Sequence, residues 1–94
     1  MKKITYNIVI RGTAQHEVKQ VTGYEVKYPD FPGFTFAVHK GNGWQVSELS
    51  TGLAINAKIY THTRKEAIDV IHERLVLAGI ENLTDIVNAN PKVN

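Results

Sequence analysis

Apolar and polar residues alternate with a period of two through the first part of the chain and shift to a helical period after Thr63. Ile4, Tyr6, Ile8 and Ile10 alternate with Thr5, Asn7, Val9 and Arg11, the pattern of a half-buried strand. A second strand is expected from about Glu17 to Tyr28, with Tyr24, Val26 and Tyr28 on one side and Glu25 and Lys27 on the other. Gly23 inside it predicts a bulge, because a residue without a side chain accepts unusual dihedrals. Pro29 and Pro32 lack backbone donors, so Pro29–Gly33 reads as an ordered loop or a crossing at the sheet margin. Phe34, Phe36 and Val38 resume the alternation. Gly41-Asn42-Gly43 predicts a tight hairpin with positive-φ positions, and Trp44 and Val46 open the next strand. Ser50-Thr51-Gly52 turns the chain once more, and Leu53, Ile55, Ala57 and Ile59 line a last strand.

The helix that follows has the sharpest local signal. Thr63-Arg64-Lys65-Glu66 fits a capping box, in which the Thr63 hydroxyl accepts from the Glu66 N–H and the Glu66 side chain reaches back. At 100° per residue, Ala67, Ile68, Ile71, Leu75 and Ala78 form one apolar stripe, with His72 at its flank. Gly79 is placed to end this helix. Leu83, Ile86 and Val87 predict a short second helix, capped at Asn82 and stopped by Pro91. The expected fold class is α+β: an antiparallel meander of four or five strands, the main C-terminal helix packed on one face and the other face partly exposed.

Length and composition narrow the classes without choosing a function. Ninety-four residues, 43% hydrophobic and 21% charged, make one ordered domain, 1–94, with a modest core. The formal charge of +2 is spread from Lys2 to Lys92, too weak and too scattered to imply a polyanion partner. With no cysteine, disulfides and thiolate metal sites are excluded. The N-terminal apolar tract is interrupted by Thr5, Tyr6 and Asn7, no stretch is long enough to span a membrane, and a cytoplasmic address is expected.

No catalytic constellation emerges. His62 and Glu66 stand four apart, but His62 precedes the cap and no HExxH occurs. Ser47 and Ser50 lie outside any GxSxG elbow, and Gly41, Gly43 and Gly52 precede no phosphate-binding helix. Glu48 is expected to face Lys58 or Arg64 across the hairpin. No metal and no cofactor is expected. Binding is the better reading, and the candidate contact residues are Lys27, Tyr28, Asp30, Phe31, Lys40, Trp44, Lys58, Arg64 and Lys65. They suit a protein partner or a second copy at a sheet edge or open face. Alternatively, Tyr24 or Tyr28, Phe34 or Phe36, and Trp44 would stack single-stranded bases, with the lysines and Arg64 on the phosphates.

Two resemblances attach to these motifs. Trp44, Val46, Glu48, Thr51, Gly52 and Ile55, with Thr63, Lys65, Glu66, Ala67 and Ile68, resemble small proteins of phages and prophages in low-GC Gram-positive bacteria. Those share a W-x-V-x-E/H-x-x-TG-x-x-I hairpin and a T-R/K-K-E-A-I helix start, which implies a common fold and a phage-related origin. More locally, residues 23–33 and the helix start are similar to the strand, PDLPG turn and helix of HicB-type antitoxins. That likeness implies binding to a small RNA-cleaving toxin. The chain departs from the HicB pattern by the two strands it places between turn and helix. The leading expectation is a non-enzymatic, phage-type accessory binding protein.

Overall fold

The alternating pattern produces the sheet it predicts. In the computed structural model, which describes residues 1–11, 16–55 and 61–94 (backbone only at 11 and 16), four strands form one antiparallel sheet in chain order. They are β1 (Lys3–Arg11), β2 (His16–Val26), β3 (Phe36–Lys40) and β4 (Trp44–Glu48), followed by α1 (Arg64–Ala78) and α2 (Ile80–Ala89). Of the expected last strand, Ala54 bridges Ser47, Ile55 N–H donates to the Val46 carbonyl at 2.9 Å, and Thr61 bridges Trp44. The intervening residues 56–60 lie outside the described residues.

β1 and β2 make a long hairpin, in unbroken register from Lys3↔Tyr24 to Arg11↔His16. The bulge expected at Gly23 is absent. The glycine is needed instead for a close approach: a Cβ there would strike the Val38 carbonyl of β3, with the Tyr6 hydroxyl 3.0 Å away. β2 ends at Val26, two residues short of Tyr28, and β3 starts at Phe36, two after Phe34. The prolines between them cannot donate to a ladder. Gly41 does not take a positive φ; its N–H closes the β3–β4 turn on the Gly43 carbonyl at 2.8 Å.

The face away from the helices is partly exposed, as expected: Ile10, Glu17 and Lys19 lie outside on it, while a small second core forms beneath. Phe36 and Val38 point to the helix side, where they join Val26, Tyr28, Phe31, Val46 and the apolar stripe of α1 and α2. Ala37 points the other way and is also fully buried, under Tyr6 and Ile8 of β1 with Ile4, Val21 and Leu49 around them. β1 reaches it because the sheet curls. The Val9 N–H donates to the Gly52 carbonyl at 3.0 Å, so the first strand returns to the turn after the last one. The C-terminal tail fastens this closure. Asn94 bonds the backbone of Asn7 on both sides through its amide (2.8 Å each) and the Leu49 carbonyl at 2.6 Å. β3 therefore has no free side.

α1 starts at the expected cap, with Thr63 Oγ1 accepting the Glu66 N–H at 3.1 Å. Ala67, Ile71 and Leu75 are buried, whereas Ala78 at the end of the stripe is exposed. Gly79, at φ 85°, ends α1 and leads straight into α2. The second helix thus begins at Ile80, before the expected cap at Asn82, and buries Leu83 and Val87 while leaving Ile86 outside.

Candidate functional site

The eight candidate residues that the structure describes do not converge. Tyr28 and Phe31 are core residues, and neither ring is available to a ligand. Tyr28 donates its hydroxyl to the Ile68 carbonyl at 2.9 Å and stacks on His72 (centroids 5.2 Å apart, planes at 8°). Burial first, and Asp69 second, push its phenol upward from the usual range, so it stays a neutral donor. Asp30 meets His72 Nε2 at 2.9 Å. Tyr28, Asp30 and Phe31 thus fasten the proline loop to α1, and this corner holds structure together. Lys27 faces Glu25 at 3.8 Å, and Lys65 pairs with Asp69 at 2.8 Å, which raises the Lys65 ammonium through that hydrogen bond. The Arg64 guanidinium lies 4.3 Å over the Tyr24 ring. Lys40 is exposed at the β3–β4 turn, Trp44 is half-buried against the core, and Lys58 lies outside the described residues. None of the described sheet aromatics is exposed: Tyr24, Phe34 and Trp44 are half-buried, and Tyr6, Tyr28 and Phe36 are inside. A stacking platform would need rings in solvent.

Arg64, one of the two cations expected opposite Glu48, forms no ion pair with it, and the other, Lys58, lies outside the described residues. Glu48 is 3% exposed, and its carboxylate accepts from the Ser50 and Thr51 backbone N–H groups (3.0 and 2.9 Å) and from both their hydroxyls (2.7 and 2.8 Å). The E-x-x-TG motif is a self-capped turn that holds the β1 edge and the C-terminal tail.

On the concave side, Tyr6 Oη, His39 Nδ1 and Ser47 Oγ are buried without a hydrogen-bond partner among the described residues. Burial first, and the Lys19 charge second, lower the His39 pKa. Below the ordinary histidine value of about 6.5 the unfolded chain takes a proton that the folded chain refuses. Stability is thus full above that value and falls as the pH drops from there toward the depressed folded value. The slope is at most about 1.4 kcal/mol per pH unit, the value for one proton. Urea unfolding between pH 7.5 and 5.5 should show this loss, and His39→Gln should flatten it. Parallel pH profiles for the two proteins would refute it.

Two surface features remain. An apolar groove of about 600 Å³ runs between residues 51–55 and the α1–α2 corner, rimmed by Leu77 and Ile86. The other is the edge of β2. β3 pairs with β2 only at Tyr24, Glu25 and Val26, so residues 18–22 have no ladder partner on that side among the described residues. Gly52 and Asn94 hold the outer side of β1 at Val9 and Asn7, and Leu53, Ile55 and Thr61 bond the outer side of β4. Glu17, Val18, Lys19 and Gln20 are all exposed on the projecting hairpin. The sequence carries one hint of this edge, a second strand much longer than the third.

Among the described residues, no group of three His, Asp or Glu side chains is placed to hold a metal, and no helix is long and apolar enough to cross a membrane. No protein-family model, no curated protein and no solved structure matches this chain.

Proposed function

We propose that this chain is a non-enzymatic accessory binding module, of the phage-related kind its motifs resemble, that takes a protein partner by strand addition at the edge of β2. The observation that carries this reading is the run from Val18 to Thr22, which among the described residues has no ladder partner on the side away from β1, beside a β3 buried on both faces. Unpaired N–H and C=O groups in a row are a template for another strand. The alternative of a base-stacking surface has buried or half-buried rings to work with, and its cations at 27, 64 and 65 already face Glu25, Tyr24 and Asp69.

Val18→Pro tests it. The substitution removes an N–H that faces away from β1, so the hairpin keeps its own ladder while the edge loses one of its outward donors. A protein retained by the wild-type chain from the source organism's lysate at high salt should be lost with Val18→Pro. Equal retention by the two would refute the edge. Capture of single-stranded oligonucleotides alone, abolished by salt, would put the nucleic-acid reading in its place.

A further inference from the structure

We propose that the partner at this edge is a second copy of the chain, the two β2 strands pairing antiparallel about a two-fold axis through Val18. The inference rests on the reading of the β2 edge as an interface and adds the identity of the occupant and its register.

The hydrogen-bonding parity of β1 supplies the geometry. The N–H groups of Asn7 and Val9 point out of the sheet margin, to Asn94 and Gly52. In an antiparallel ladder a pair exchanges both bonds or neither. Asn7↔Gln20 and Val9↔Val18 are therefore the non-bonded pairs of the hairpin. The donors and acceptors of Val18 and Gln20 must then face the opposite margin, toward the open side. A two-fold axis through Val18 lets that residue exchange both bonds with its own copy, and places Gln20 opposite the backbone of residue 16 of the second copy.

The side chains select this register. With Val18 on the axis, Glu17 lies directly opposite Lys19 of the second copy, and the same contact recurs across the axis. These fall at non-bonded positions, where facing side chains come closest. An axis through Lys19 would oppose two ammonium groups. An axis through Gln20 would set Lys19 opposite Val21 and leave the lysine without a carboxylate across the seam. A lone lysine on an edge repels a second strand. Glu17, two residues earlier on the same face, turns that repulsion into a cross-strand pair. Val18, 56% exposed as a monomer, meets its own copy at the centre. Five residues a side is far below the roughly 20 to 30 of a standard interface, so the dimer is weak and concentration-dependent.

Sedimentation equilibrium over a hundredfold range of concentration tests the proposal on the whole chain, with thermal melts confirming that each variant is folded. The wild type should dimerise reversibly. Glu17→Lys and Lys19→Glu should each weaken dimerisation by roughly tenfold, because both copies of the pair become like-charged. The double exchange should restore it, and Val18→Pro should abolish it. A wild type that stays monomeric to its solubility limit overturns self-pairing. So does a dimer indifferent to these changes, and weakening without restoration overturns the Val18 register. If the wild type is monomeric while Val18→Pro still loses a captured protein, only the identity of the occupant is wrong. If capture is also indifferent to the proline, the edge itself is refuted.

Discussion

Gly23→Ala should lower the thermal midpoint by roughly 15 °C, the equivalent of about 3 kcal/mol in a domain of this size. The added methyl would meet the Val38 carbonyl, a backbone atom with no rotamer to yield, and would crowd the Tyr6 hydroxyl. Relief requires β2 and β3 to separate. Their ladder has only three residue pairs, Tyr24↔Val38, Glu25↔Ala37 and Val26↔Phe36, so a small displacement removes most of it. Hydrogen exchange should therefore quicken along this ladder before the β1–β2 hairpin itself opens. Gly41→Ala is the control. A Cβ at Gly41 has nothing within 4 Å and its φ is ordinary, so a change within about 0.5 kcal/mol is expected. Equal melting of the two variants would refute the close approach.

Glu48→Ala should cost about 3 kcal/mol. A buried carboxylate persists only where its oxygens are paired or hydrogen-bonded, and those of Glu48 are held by the Ser50 and Thr51 amides and hydroxyls. Removing it leaves the Ser50 and Thr51 amides and hydroxyls of the turn without their acceptor, and an orphaned buried donor costs more than the bond contributes. The damage also spreads beyond the turn. The Ser50 carbonyl accepts the Val93 N–H at 2.8 Å and the Gly52 carbonyl accepts the Val9 N–H, so the tail and the β1 margin share its fate. Faster exchange of the Val9 and Val93 amides should accompany the loss. Glu48→Gln keeps the length and one acceptor oxygen, and about half the cost is expected. If the alanine variant melts within a few degrees of the wild type, the turn is not the clasp described.

The E-x-x-TG run thus has a physical account, which bears on the resemblance it carries. Trp44, Val46, Glu48, Thr51 and Gly52 are the residues that build β4 and its closing turn, and Gly52 approaches the Asn7 carbonyl and Ile8 Cα too closely for a side chain. Each of these residues therefore has a structural reason for its place, and the motif by itself assigns no activity.

The candidate contact residues were poorly legible for a related reason. Lys27, Arg64 and Lys65 looked free because a linear chain does not display Glu25 beside one, the Tyr24 ring beneath another, or a side chain one helical turn away as a committed partner. Tyr28 reads from the alternation as the last residue of a strand and Phe31 as a loop residue, because the prolines beside them mark a break in the ladder. The same prolines aim those rings under α1.

Local patterning by itself determined the four strands, the Thr63 cap, the stripe Ala67–Ile71–Leu75 and the α+β class, since each depends on neighbours within a few positions. The curl of the sheet was decided only in three dimensions. It depends on contacts between Val9 and Gly52 and between Asn7 and Asn94, dozens of residues apart, which no periodicity encodes. That curl buries Ala37 beneath Tyr6 and Ile8, and the early divergence of β3 leaves residues 18–22 of β2 without a ladder partner on that side among the described residues.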